Sequence, residues 1–208
     1  MNKEIKKRMA FLIKICYNAL EFTWQKGTGM ITGEKTRSET KIADSPLHSA
    51  WTEDGYIQNQ DLLTGYIYRT IPAKENCCGP VAVYNLCRHS GQNLEFEALL
   101  REMDGMHRLH MPGPTFMYVM RKCLTEHLPG WQEVHGRDEA VRQACQSSMG
   151  IFRYHEGRIP HFVGYYRERE NTFHFYNVCD GRENVVMSME EFTSDHLLGG
   201  SVKLIWWE

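Results

Sequence analysis

Two adjacent cysteines are the residues of this 208-residue chain whose type and setting are best suited to chemistry. Cys77 and Cys78 stand directly before Gly79-Pro80, in the stretch ENCCGPVAVYNLC, where a run of helix-forming residues begins. Proline suits the first turn of a helix, so we expect Cys78 at a helix N-terminus, where unpaired N–H groups and the helix dipole favour a thiolate. A thiolate is a nucleophile, and we expect Gly79 to leave room for a substrate backbone beside the sulfur.

A thiol nucleophile needs a base, and a histidine base needs an orienting group. His161 opens the predicted strand HFVGYY, and a hairpin returns through FHFYNVCDG. A turn at residues 170–171 places Asp180 opposite His161, whereas a turn centred on Arg169 places Asn177 there. A two-residue turn is the commonest hairpin connection, and its asparagine tolerates positive φ, so Asp180 is preferred and Asn177 is the alternative.

The order of these motifs resembles that of the papain-like cysteine peptidases, most of all the branch of bacterial double-glycine leader peptidases and their stand-alone relatives. The similarity rests on CCGPVAVYNL, HFVGYY and VCDG. It implies that Cys78 is the nucleophile, His161 the general base and acid, and Asp180 the orienting group. It also implies an α+β fold, in which N-terminal helices pack against a C-terminal antiparallel sheet, a half-barrel, with the active site in the groove between them.

The oxyanion hole departs from the family pattern. The family places a glutamine shortly before the cysteine, but this chain has RTIPAKEN there, without glutamine. Asn76 is the substitute we predict, with Gln58 and Gln60 as alternatives, and each would act together with the Cys78 N–H. The second thiol, Cys77, is a further departure, and we choose Cys78 because it directly precedes Gly-Pro. The glycine that follows Asp180 replaces the family's proline.

Hydrophobic periodicity places these residues on helices followed by strands, which is the α+β order. Helices are predicted at 3–22, 78–89, 94–103, 115–128 and 137–147, and strands at 150–155, 161–167, 172–180 and 201–207. A capping box at 188–191 predicts one more short helix. We interpret residues 71–208 as the peptidase-like domain, and residues 1–70 as an N-terminal helix and extension that pack on it, with a role as a lid over the groove.

Composition and charge narrow the class of partners. A formal net charge of −2 argues against nucleic-acid binding, and no stretch approaches the roughly 18 apolar residues of a membrane span. Seven cysteines without paired spacing indicate a reducing, cytoplasmic setting. His107 and His110 lack further ligands at zinc spacing, so we expect no metal and no cofactor. The oligomeric state is left open.

These features together predict a cytoplasmic thiol protease or amidase. It would cleave a peptide, amide or isopeptide bond in a peptide or protein substrate, through a Cys-His-Asp triad and a thioester intermediate. Acyl transfer or deamidation would use the same residues. The alternative is a catalytically silent papain-like domain that binds a peptide or protein partner in the same groove. Redox sensing by the Cys77–Cys78 pair is a third hypothesis.

Overall fold

The computed structural model describes residues 49–108, 112–156, 159–178 and 182–208, without the side chains of 156 and 182–184. The described residues all belong to one compact unit, Pro46–Glu208. The predicted helix at 3–22 and Asp180 therefore lie outside the described residues. Within those residues, we find no helix with the length and apolar character that crossing a bilayer requires.

Five helices and eight strands lie in the described ranges. The helices are α1 (Cys78–His89), α2 (Phe96–Gly105), α3 (Met117–His127), α4 (Arg137–Ala144) and α5 (Met189–His196). The strands are β1 (Ile67–Tyr68), β2 (Ile71–Pro72), β3 (Gln132–His135), β4 (Met149–Glu156), β5 (Ile159–Arg169), β6 (Thr172–Val178), β7 (Arg182–Met187) and β8 (Lys203–Trp207). Short 3₁₀ helices occupy Gln60–Leu62 and Ala73–Glu75.

Six of the strands form one antiparallel sheet in the order β3-β8-β4-β5-β6-β7. The three longest helices of the described chain precede all six of these strands, so the α+β prediction is confirmed. The predicted capping box is present. The Ser188 side chain accepts a hydrogen bond from the Glu191 N–H, and the Glu191 carboxylate accepts one from the Ser188 N–H. The sequence interpretation missed β3 and β7, which form the two edges of the sheet.

Both faces of the sheet are buried against helices. Alternate residues of a strand point to opposite faces, and Ile151 and Ile205 join the core beneath α1, α2 and α3, whereas their neighbours Phe152 and Leu204 join a second core with α4 and α5. The second core also contains Phe192 of α5, whose ring stacks on that of Phe175 at a centroid distance of 4.0 Å.

Helix α1 lies at the centre of the first core, and its residues from Cys78 to Cys87 are all buried. This agrees with the apolar character that its sequence shows on nearly every side. The helix approaches β5 closely at Gly164, where a Cβ atom would lie 3.3 Å from the Ala82 carbonyl oxygen. Glycine is the residue that permits this approach, which sets the separation between α1 and β5.

The segment before α1 is tied into the same unit by a buried asparagine of that helix. The Asn85 carboxamide accepts from the Ile57 N–H and donates to the Ile57 carbonyl, both at 2.8 Å. Ile57 is fully buried, and Leu63 and Tyr68 lie in the same core. Residues 49–70, which the sequence interpretation placed in the N-terminal extension, therefore pack within this compact unit.

We expect Asn85→Leu to lower the free energy of unfolding by about 2–4 kcal/mol, because it removes two hydrogen bonds and leaves the N–H and carbonyl of Ile57 buried without partners. Urea denaturation of the full chain measures this. Gln146→Ala, at an exposed position, is the control and is expected to change stability by less than about 0.5 kcal/mol. Equal effects of the two substitutions would contradict the anchoring role of Asn85.

Candidate active site

Cys78 is the first residue of α1, and its side chain is only 6% exposed. Backbone N–H groups near the start of a helix have no partner within the helix. Here the N–H groups of Gly79 and Phe162 form hydrogen bonds to the Cys78 sulfur. One of these donors comes from the helix itself and the other from β5, so the sulfur lies where helix and sheet meet.

His161 lies on β5 and hydrogen bonds to the Cys78 thiol. Its Nε2 atom is 2.8 Å from the backbone carbonyl oxygen of Asn177. A carbonyl only accepts, so the proton must reside on Nε2, and Nδ1 is the nitrogen left to pair with the sulfur. On the neighbouring strand β4, Tyr154 holds the ring edge-on at a centroid distance of 5.8 Å. The imidazole is therefore fixed in both tautomer and orientation.

The two adjacent thiols ionise differently. Burial acts to raise the pKa of Cys78, but the hydrogen bond and charge of His161 and the two backbone N–H groups outweigh it and hold that pKa below its ordinary value. Burial, the neighbouring Cys78 and Asp61 raise the pKa of Cys77 well above the ordinary value. Cys78 thus has thiolate character, whereas Cys77 is a buried, protonated thiol.

The β5–β6 hairpin has the two-residue turn that the sequence favours, and Arg169 pairs with Thr172. Asn171 in this turn has φ +54°. A bulge between Arg167 and Arg169 then shifts the register by one residue, so that Gly164 faces Tyr176, where the described ladder ends. Because of this shift, strand pairing alone does not identify the partner of His161.

Asn177, the alternative orienting residue, contacts His161 through its main chain, and its side chain points elsewhere. Its Oδ1 atom accepts from the Gln60 N–H, and its Nδ2 atom donates to the Gln60 side-chain oxygen, both at 2.8 Å. The Asn177 N–H donates to the Gln58 carbonyl at 3.1 Å. These bonds hold residue 177 at φ +59° and aim its carbonyl at the imidazole. The preferred orienting residue, Asp180, lies outside the described residues.

Asn76 does not fit the predicted oxyanion role. Both N–H groups of its carboxamide are used, by the carbonyl oxygens of Tyr68 at 3.0 Å and Gly113 at 3.1 Å. The side-chain amides of Gln58 and Gln60 also donate to main-chain carbonyls. The sequence could not show that nearby carbonyls would use these donors. The Cys78 N–H, in the first turn of α1, is the predicted donor that fits best.

Gly79 also serves a different purpose from the one predicted. A Cβ atom at this position would lie 2.7 Å from the Cβ of Thr115, so the space beside Gly79 is filled by a side chain and is not left for a substrate. The hydroxyl of Thr115, at the predicted start of the helix 115–128, hydrogen bonds to the Tyr68 hydroxyl at 3.0 Å. This packing fixes the first turn of α1 and with it the position of Cys78.

No protein-family profile matches the chain, and no curated protein matches it. Among solved structures, it is similar to the peptidase domain of Streptococcus ComA, a bifunctional ABC transporter involved in a quorum-sensing pathway. The two are 17% identical with a TM-score of 0.41, and the match covers 63% of this chain and 91% of the other. A similarity of this extent indicates neither an activity nor a substrate for the chain.

We expect Asn177→Gly to slow alkylation of Cys78 at pH about 6 by at least about tenfold. Glycine accepts positive φ but loses the side-chain bonds to Gln60, so the carbonyl no longer fixes His161 and the pKa of Cys78 rises towards that of an ordinary thiol. Iodoacetamide kinetics followed by mass spectrometry measure the rate.

The matched control is Asn171→Gly, because Asn171 also has positive φ but lies exposed at the tip of the β5–β6 hairpin. This variant should keep the alkylation rate of the unmodified protein within about threefold. If both variants react alike, the Asn177 main chain does not position the imidazole.

Proposed function

We propose that this chain is a cysteine-dependent hydrolase of the papain-like type, which cleaves a peptide, amide or isopeptide bond. The observation that carries the proposal is the placement of the Cys78 thiol at the N-terminus of a buried helix beside His161, whose Nε2 is held by the Asn177 carbonyl, and this placement lowers the pKa of the thiol. A structural cysteine in an apolar core has a raised pKa, as Cys87 has. A lowered pKa at a buried thiol requires groups arranged to stabilise the thiolate, which is what nucleophilic catalysis needs.

The mechanism follows from the placement of these two side chains. The Cys78 thiolate attacks the substrate carbonyl carbon, and the carbonyl oxygen becomes an oxyanion that the Cys78 N–H stabilises. The His161 imidazolium gives its Nδ1 proton to the departing amine, which leaves a thioester. Neutral His161 then takes a proton from water, the hydroxide attacks the thioester, and the carboxylic acid leaves as the thiolate re-forms.

The orienting group in this proposal is formed in two parts. The Asn177 carbonyl already fixes the His161 tautomer through Nε2. Asp180, the preferred orienting residue of the sequence analysis, follows on the same connection and would add the negative charge that stabilises the imidazolium. The substrate we propose is a peptide or protein, and the setting we propose is a reducing bacterial cytoplasm.

A second function is favoured by the occupied carboxamides near the site. Both N–H groups of the Asn76 carboxamide donate to main-chain carbonyls, so Asn76 would have to break a bond before it stabilised an oxyanion. The side-chain amides of Gln58 and Gln60 are each held by one bond to a main-chain carbonyl. A catalytically silent papain-like domain that binds a peptide or protein partner in the same groove would not need such a donor. The paired thiol and imidazole favour the hydrolase over this alternative.

The pH dependence of alkylation tests the thiolate–imidazole pair. Because the pKa of Cys78 is lowered, we expect Cys78 to react with iodoacetamide at pH about 6 at least about tenfold faster than Cys145. Cys145 is the reference because it is an exposed residue, and partial burial of its thiol raises the thiol pKa. In His161→Ala the reaction of Cys78 at this pH should fall to the Cys145 rate, with mass spectrometry assigning each site. Equal reactivity of Cys78 in both proteins would overturn the pair and would favour the redox hypothesis.

Trapping of a thioester separates the hydrolase from the binding domain. The full chain is mixed with a library of peptides and isopeptide-linked peptides, quenched in acid, and measured as intact protein. A hydrolase gives an acyl adduct on Cys78 that is absent in Cys78→Ser. A silent domain gives no adduct, and Cys78→Ser binds the same peptides as tightly as the unmodified chain does.

A further inference from the structure

A second group of reactive side chains lies between α2 and α3, away from Cys78. It consists of Glu102 from α2 and of Cys123 and His127 from α3. His127 Nε2 is 2.9 Å from each oxygen of the Glu102 carboxylate. The potential ligand atoms of the three side chains all lie within 4.8 Å of one another.

The arrangement has the dimensions of a zinc site. Zinc binds sulfur at about 2.3 Å and nitrogen and oxygen at about 2.0–2.2 Å, so the ligand atoms of a tetrahedral site are separated by about 3–4 Å. Cys123 and His127 are four residues apart and thus project from the same face of α3. One sulfur, one imidazole nitrogen and one carboxylate oxygen form a donor set that suits Zn²⁺ better than Mg²⁺ or Ca²⁺, which prefer oxygen alone.

Burial and charge agree with a cation at this position. Cys123 is fully buried, whereas the side chains of His127 and Glu102 are 20% and 35% exposed, so a metal would be held from inside and reached by water from outside. The Glu102 carboxylate places negative charge beside the buried sulfur and the imidazole, which favours a bound cation.

We propose that Glu102, Cys123 and His127 bind one Zn²⁺, with a water molecule in the fourth position. Binding releases the Cys123 thiol proton to solvent, and the His127 proton moves from Nε2 to Nδ1 so that Nε2 can ligate the metal. The thiolate and the carboxylate together neutralise the two positive charges of the ion. The metal would join α2 to α3.

The proposed metal site is separate from the proposed active site. Cys87, which interacts electrostatically with both Cys123 and Glu102, lies near the C-terminal end of α1, roughly 13 Å along the helix axis from Cys78. The sequence pattern predicts no metal, with His107 and His110 as its only candidate pair. The cluster has no local sequence signature, because Glu102 is distant in sequence from Cys123 and His127 and the fold brings them together.

Metal binding is tested on the full chain in a Cys78→Ser background, which removes the other thiol–imidazole pair. Co²⁺ is titrated first, because thiolate ligation gives a charge-transfer absorption band. The affinity for Zn²⁺ is then measured by competition with a chromophoric chelator. The variants tested are Glu102→Gln, His127→Gln and Cys123→Ala. The matched control is His135→Gln, because His135 also pairs with a glutamate, Glu133 at 2.8 Å, but lies outside the cluster.

We expect one equivalent of Co²⁺ with the charge-transfer band, and an affinity for Zn²⁺ that falls at least about 100-fold in each of the three variants, since even the loss of an outer-shell partner costs 10–100-fold. His135→Gln should stay within about threefold. Zn²⁺ should also raise the melting temperature of the parent and of His135→Gln, but not of His127→Gln.

Absence of stoichiometric binding, or unchanged affinity in the variants, would overturn the site and leave Glu102–His127 as an ion pair only. Cys123 is fully buried, so its replacement carries a risk of misfolding. Glu102→Gln and His127→Gln keep the test decisive, because both side chains are partly exposed. None of these results depends on hydrolase activity.

Discussion

The close contact between helix α1 and strand β5 is the constraint on which the site depends. The helix carries Cys78 and the strand carries His161. Gly164 has no side chain, so the strand backbone comes into van der Waals contact with the helix backbone at Ala82. The Phe162 N–H, one residue beyond His161, then reaches the sulfur. Because α1 is buried from Cys78 to Cys87 and β5 is buried from His161 to Tyr165, the distance between thiol and imidazole is set by core packing and does not rely on a surface loop.

The contrast between Cys77 and Cys78 shows how the surroundings of two adjacent thiols can favour the ionisation of one of them. The helix begins at Cys78, and this residue turns its sulfur towards β5, whereas Cys77 precedes the helix and is fully buried. Asp61, from the segment that precedes α1, raises the pKa of Cys77, whereas His161 lowers the pKa of Cys78. The surroundings therefore stabilise negative charge at one sulfur and oppose it at the other, although the two residues are adjacent in sequence.

The sequence predicts the parts of the fold that carry strong local signals. Both ends of α1 agree with the prediction, because Pro80 and Gly91 bracket a continuous apolar run. Strands β4, β5 and β6 are long and rich in aromatic residues, so their period is clear. Strand β3 is missed because QEVH is short and mostly polar, and β7 is missed because RENVVM begins with charged residues. Both are edge strands, which have weaker patterns than strands buried on two sides.

The sequence predicts a site residue only where a reactive residue type lies at a recognisable position in a helix or strand. Cys78 and His161 are found from residue type and element, and the structure brings them together. The bulge after Arg167 has no sequence signal that fixes its position, so the register beyond it is not predictable. The pairing of Asn177 with Gln60 depends on a left-handed backbone and on two segments that are distant in the chain, and neither can be deduced from a local pattern.

The contact between Gln60 and Asn177 joins residues 117 positions apart, and this has a consequence for the order of folding. Contacts of such sequence separation form late, because the closure of a long loop must be offset by structure that is already present. Synthesis of the chain from its N-terminus produces α1 long before β5 and β6. Until the sheet has formed, the cysteine at the start of α1 lacks the imidazole that promotes its ionisation, so the nascent polypeptide carries an ordinary thiol. The lowered pKa of Cys78 is thus acquired together with the completed tertiary structure.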